Sequence, residues 1–599
     1  MQPQLFFSIF RNRYLKQKIF ISSYDYYIIK NISHLEKQYD HLCLLNSNNI
    51  PVVYYIPNID HYHIYCSHKH KSLITHIIVS SHFYEYHYHN LLQESQPLPI
   101  LFGLTITDRE RDPIILANKL PPSVQYYKYR IGGSAYDGYP EPIQKGLIPE
   151  SVTYLHLGLD RLDADVLPNK VKTLVLTLQS IEDLPKKCFT LQSIEYSPKK
   201  CEFNGRYIPR SVNSFTLYDY HHKFNDLDIN LLPTNLTYLN VNGNIKNHGF
   251  GSLKYLSMTC SDICPKINIP NSVTHLKLLN RQMDKKSIHL SPNLTFLHLG
   301  RTYQEYKKTI PIPEPLPRNL KTLRLEQYSN KAVTKSNCPA NLLSYSNVNT
   351  NEDKYLPYIP PRATKVSICF SHRPKTKQQI PQIVPLTVTD LKMNFPYHDI
   401  PKRYFGNNIV KLDLTSIGDL TPDTIPPSVT ALSMNLNPTT IEKLNSGLLS
   451  EIIPNGVIKL VLICNHSVVP KSMKFPDTVT SLSISSYIPN AITLVPTSGN
   501  LKTLKVSNLD FKTFSLTSLP PTLSKLCTST LGSNAFQLTY GIVCPNYDNS
   551  KFPSNIKQVK FKNIHQYGFD HSFHFIDGGK VYAETHKPLN PFLSRINKI

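Results

Sequence analysis

The 599-residue sequence predicts a repeat solenoid, mainly β, whose units line up as one long parallel sheet. Three observations predict it. An apolar-Pro pair, an apolar residue three places after that proline, and apolar residues three and five places further on return together along the chain. The returns run from Val124 to Ile556 at a spacing close to 23 residues. Prolines outnumber glycines, 47 to 21, and many stand at one place in the pattern, as regularly spaced corners would. Apolar residues at 40% and charged residues at 18% suit a chain that buries a core.

The pattern is plainest in "IPESVTYLHL" at 148–157, and returns in "IPNSVTHLKL" at 269–278, "LPRNLKTLRL" at 316–325, "IPPSVTALSM" at 425–434 and "FPDTVTSLSI" at 475–484. Weaker copies, such as those at Leu191, Leu253, Leu342 and Ala363, bring the anchors to about twenty. The first, fourth and sixth residues of each copy form an h-x-x-h-x-h series whose second half alternates like a strand with one buried face. The third and fifth residues then point away from the core. The proline lacks an N–H and fixes φ, which suits the corner into the strand. The residue before the anchor (Ser151, Asn235, Ser272, Thr522) is expected to hydrogen-bond its own local backbone and hold that bend. One copy cannot bury its apolar side alone, whereas stacked copies can.

The h-x-x-h-x-h spacing is similar to that of leucine-rich repeats, although the asparagine three places after the last apolar residue occurs only at Asn244, Asn437 and Asn465. The chain more closely resembles the FNIP-repeat family, abundant in social amoebae. "YPEPIQKGLIPESVTYLHLG" at 139–158 carries the resemblance, with Tyr139 in place of Phe and Pro140-Glu141 in place of Asn-Gln. Elsewhere the first half of that unit is eroded, apart from traces such as Phe224-Asn-Asp. The resemblance covers about residues 116–565. It implies a leucine-rich-repeat-like stack of about twenty ~22-residue units with a concave parallel sheet and a protein-interaction role, and it implies no catalytic residues.

Four segments follow. Residues 1–46 read as an N-terminal helical segment, with Phe6, Ile9, Phe10 and Tyr14 on one face. Residues 47–115, rich in His and Tyr, read as a β cap, and residues 116–565 as the solenoid. Residues 566–599 read as a C-terminal capping hairpin around "FHFIDGGKVYA" at 573–583, followed by a tail. The opening "LFFSIFRNRYLKQKIF" at 5–20 resembles the leaders of slime-mould FNIP proteins. It is also similar in size and position to an F-box, without that motif's Leu-Pro entry. The second similarity implies an alternative role as a ubiquitin-ligase substrate receptor.

Catalytic signals fail one after another. "DGGK" at 577–580 ends like a phosphate loop, but His574 stands where the first glycine is needed and Val581 where a Ser or Thr would reach magnesium. Among the histidines of 61–89, the pairs His61/His63 and His87/His89 would share a face if they lay on strands, but no matched second pair completes a metal site. The reading is of a non-enzymatic protein with no catalytic residues, no metal and no cofactor. Eleven scattered cysteines without a C-x-x-C suggest reduced thiols. "LFFSIF" is too short for a secretory core, and no apolar run reaches the ~18 residues of a membrane span. Together these point to the cytoplasm.

A binding role fits better. The outward third and fifth positions supply Tyr126, Tyr154, Tyr238, Tyr255, His275 and Phe296 toward the start, and Arg324, Lys392, Lys411, Lys459 and Lys505 toward the end. Aromatic and basic strips of this kind are what partner surfaces use. With Lys+Arg at 65, Asp+Glu at 42 and a net charge of +23, the expected partner is a protein with an acidic surface. Nucleic acid ranks below it, because charge is its only support. No small-molecule substrate and no membrane span are expected.

Overall fold

The structure is a computed structural model that describes residues 26–29, 32, 34–56, 58–80, 83, 100–106, 121–130, 146, 148–158, 167–178, 191–198, 208–217, 227–242, 245–246, 251–263, 267–282, 288–300, 312–328, 332–348, 358–369, 384–394, 405–415, 422–436, 449–464, 475–486, 499–507, 519–530, 558–563, 569–576 and 580–588. The chain divides into two compact units. The first holds chiefly residues up to Phe224, and the second chiefly Thr237–Tyr582.

Every anchor from Val124 to Ile556 leads, two residues later, into a strand. In the second unit the strands Tyr238–Asn242, Tyr255–Ile263, His275–Gln282, Phe296–Gly300 and Thr322–Glu326 pair parallel and in register, apart from a shift past Cys260 between the second and third, and the ladder continues to Gln558–Asn563. That last strand pairs antiparallel with Phe569–Ile576, and a further strand, Lys580–Pro588, lies beyond residues 577–579. The protein is a leucine-rich-repeat-like parallel β-solenoid. Its core is the one the spacing predicts: Val273, Leu276 and Leu278, and their counterparts Val429, Leu432 and Met434, are all buried. Buried side chains from Ile359 to Leu526 form one continuous cluster.

The motif's other letters each make a bond. The carbonyl of the proline accepts from the N–H of the anchor, closing a tight turn: Pro149 from Val152 at 3.0 Å, Pro270 from Val273 at 3.0 Å, Pro426 from Val429 at 3.1 Å. The residue before the anchor works differently from the expected local bend. Its hydroxyl donates across to the carbonyl of the preceding repeat's anchor: Ser151 to Val124 at 2.6 Å, Ser428 to Ile409 at 2.8 Å, Thr478 to Val457 at 2.9 Å. Thr522 likewise reaches back to Leu501 and Gly499, both at 3.0 Å. An asparagine here has a longer arm and reaches two residues further back, as Asn293 does to Asn271 and Asn408 to Leu386, both at 2.8 Å. The anchor carbonyls lie just before the strands begin, and the side chains of the next repeat donate to them there. This rail joins successive repeats at their entry edge. Replacing Ser428 by Ala should therefore loosen its own repeat by about 1 kcal/mol, the net value of one such bond. Native-state hydrogen exchange should show the loss at strands Lys411–Thr415 and Ala431–Leu436 first. Unchanged protection there would mean the hydroxyl contributes nothing between repeats.

In the first unit the ladder begins well before residue 116. Strands Tyr27–Ile29, Val52–Ile56, His76–Ser80 and Ile100–Ile106 pair parallel, and the last of them pairs in register with Tyr126–Arg130. The stretch read as helical thus contains a strand before its helices His34–Lys37 and Tyr39–Ser47, and residues 1–25 lie outside the described residues. A helix, Ile59–Ser67, also links two of the strands, so His61 and His63 are helical rather than on a strand. Two residues apart on a helix they point in different directions and cannot share a ligand. His61 is buried with Nδ1 3.1 Å from the Tyr54 hydroxyl, whereas His63 is exposed. His87 and His89 lie outside the described residues.

One irregularity shapes the open face of this unit. The register between His76–Ser80 and Ile100–Ile106 shifts by one residue, leaving Phe102 as the extra member of a bulge. Its ring packs against Tyr26 at 5.0 Å and edge-on to His76 at 5.3 Å. With Val53 and Ile78 it forms a second, smaller core, flanked by Tyr26, Ile28, Tyr55 and Tyr126. Gly103 makes the close approach possible, because a Cβ there would sit 2.9 Å from that of Tyr126.

Candidate binding surface

In-register parallel strands bring equivalent residues to ~4.8 Å from one another, so identical side chains must stack or repel. The third-position row of the second unit resolves this by stacking. Tyr238 and Tyr255 lie with ring centroids 4.5 Å apart and planes 8° from parallel. Tyr255 to His275 follows at 6.4 Å and His275 to Phe296 at 5.9 Å, still near parallel at 25° and 19°. Four successive strands thus carry one pile of rings. Each is partly or fully exposed.

The pair Tyr126 and Tyr154 of the first unit stacks as closely, at 4.5 Å and 9°. Tyr126, however, borders the second core. Burial, followed by the neighbouring hydroxyls of Tyr154, Tyr26 and Tyr55, pushes its phenol well above the ordinary tyrosine value. It is part of the packing here more than an open contact.

The basic residues divide in the same way. Lys392 lies 3.2 Å from Asp413, and Asp390 sits between Lys365 at 3.7 Å and Lys411 at 3.9 Å, all across neighbouring strands. Lys392 and Lys411 are exposed yet already matched by charge. Such pairs are worth at most ~1 kcal/mol, but they remove net charge from the strip. Lys459 and Lys505 are exposed and have no ion pair among the described residues. Arg324 is exposed as well. The sequence could not show which lysines are matched, because the partners lie 21 to 25 residues away and only the register aligns them.

Not every fifth position points to water. Ser257 and His298 are buried, at 5% and 7% exposure. Short or compact side chains here sit between the longer ones of adjoining strands, as Ser257 does between Asn240 and Lys277. Nε2 of His298 lies 2.8 Å from Oε1 of Glu326. This close approach of His298, aided by the nearby Arg324 and Lys277 and opposed by burial, holds the Glu326 carboxyl below the usual carboxylate range.

Among the described residues no three His, Cys, Asp or Glu side chains converge as a metal ion would require. No described helix is long and apolar enough to cross a membrane. Residues 5–20, which carry the similarity to an F-box, lie outside the described residues.

No family model matches the chain, and no curated protein matches it. Among solved structures it is similar to CroV588, described as a novel circular leucine-rich-repeat protein, at 19% identity and a TM-score of 0.44 over 82% of this chain and 73% of that one.

Proposed function

We propose that this chain is an FNIP-type leucine-rich-repeat protein of the cytoplasm that acts without catalysis, as a scaffold whose open sheet face docks a protein partner. The pile of rings at Tyr238, Tyr255, His275 and Phe296 carries the reading. A solvated face has no use for four aromatic side chains in a row, and aromatic side chains are the usual anchors of interfaces. The stacking also favours protein over nucleic acid. A base stacks on a ring face, and here the inner faces are taken by neighbouring rings, which leaves the edges to the outside. Edges suit the aliphatic and aromatic side chains of a protein. The matched pairs at Lys365, Asp390, Lys411, Lys392 and Asp413 weaken the case for a phosphate track further.

The test is a quantitative pull-down from cell extract with the double variant Tyr255→Ala/Phe296→Ala and the single variant Ser367→Ala as a control on the same face. Both should fold, by circular dichroism, since neither removes a core side chain. The double variant should lose partners that the wild-type chain and the control retain, mainly through faster dissociation. Equal recovery by all three would exclude this face.

A further inference from the structure

We infer that the partner docks through an extended segment that sets a carboxylate against Lys277 and Arg324 and an apolar side chain against the edge of Phe296; the inference rests on the docking role of this face. Lys277, His298 and Arg324 stand on three consecutive strands in register, with backbones ~4.8 Å apart. Further along the face, from Lys365 to Lys411, the cations are matched by Asp390 and Asp413. Beyond them Lys459 and Lys505 stand singly among the described residues, beside Ala431, Ser481, Ser483 and Cys527 rather than beside rings. Here three basic side chains share one carboxylate, that of Glu326, and Glu326 is engaged by His298. His298 is buried, so the unmatched charge toward solvent is that of half-exposed Lys277 and exposed Arg324. Charge complementarity calls for an anion. A carboxylate fits the planar fork of Arg324 two bonds at a time.

The third-position rings run alongside this row. Phe296 and His298 are two residues apart on one strand, ~6.7 Å, which is also the spacing of side chains i and i+2 on one side of an extended segment. A segment lying along the strand direction can therefore place an apolar side chain on Phe296 and His275 while its neighbour two residues on reaches Lys277 and Arg324. The partner's signature is apolar-x-acidic in an extended stretch.

The experiment is fluorescence anisotropy on the full chain with three tagged probes: a peptide repeating Phe-Ser-Glu-Ser, its analogue repeating Phe-Ser-Gln-Ser, and single-stranded oligothymidine. The acidic peptide should bind, and Lys277→Glu/Arg324→Glu should weaken it by about tenfold or more, while Lys459→Glu/Lys505→Glu leaves it within about twofold. Arg324→Lys, which keeps the charge and loses the fork, should fall between. Failure of the acidic peptide to bind overturns the inference, as does an equal loss from both charge reversals. Equal binding of the neutral analogue, sensitive to Tyr255→Ala/Phe296→Ala but not to the charge reversals, overturns it and leaves the docking role standing. Tighter binding of oligothymidine than of the acidic peptide overturns it in favour of nucleic acid.

Discussion

Deleting residues 425–436 should leave a chain that aggregates, whereas deleting the longer span 425–452 should leave one that folds. The shorter deletion removes the strand Ala431–Leu436 together with Ile425, Val429, Leu432 and Met434, all members of the continuous core. It leaves the rest of that period with nothing to pair. The facing rows Leu412 and Leu414 on one side and Leu460 and Leu462 on the other lose their neighbours. At ~1.5–3 kcal/mol for each buried aliphatic side chain, four of them come to about 6–12 kcal/mol. That is comparable to the whole stability of a typical domain, about 5–15 kcal/mol. The longer deletion joins Thr424 to Ile453-Pro454, one turn in place of the next. The strand Lys411–Thr415 then meets Lys459–Cys464 directly, with Leu412 against Leu460 and Leu414 against Leu462. Its one visible cost is Lys411 beside Lys459 on the open face, a solvated repulsion of less than about 1 kcal/mol. Solenoid stability is a sum over units and their contacts with neighbours, so losing one whole unit is the milder change. Soluble yield, elution volume and circular dichroism of the two proteins decide it. Equal behaviour would contradict a stack of interchangeable units.

The repeated part of this architecture could be read from the chain because each copy spells the same constraints. Pro149, Ser151, Val152, Leu155 and Leu157 have one task each, and their equivalents perform those tasks some twenty residues on. The role of Ser151 was legible only in part. Its identity shows that a hydroxyl is needed at the corner, whereas its acceptor, Val124, belongs to the preceding repeat and becomes a neighbour only through stacking. The early strands were hidden for a different reason. "VVYYI" at 52–56 and "HIIVS" at 76–80 continue the same ladder, but helices link the strands there and the proline corner is missing. Their signal was a recurrence of short apolar runs at 23 to 25 residues, visible in Tyr27↔Val52 and Val53↔His76. The outward rows were legible as residue types. Which rings would stack openly, as Tyr255 does, and which would join a second core, as Tyr126 does, depended on the bulge at Phe102.

The open face exists because of one alternation: fourth and sixth positions inward, third and fifth outward. The direct measurement is the stability of Leu276→Ala against that of Lys277→Ala, by urea unfolding of the full chain. Leu276 is fully buried, in register with Leu256 and Leu297 on either side. Truncating it leaves a cavity between two neighbours held by their own strands, a change that costs roughly 2–5 kcal/mol. Lys277 is half-exposed on the opposite face, and surface changes usually stay within ~0.5 kcal/mol. The alternation predicts a sharp loss for Leu276→Ala and almost none for Lys277→Ala. The reverse order would contradict it, since a shift of one residue turns every ring and charge of the proposed surface into the core.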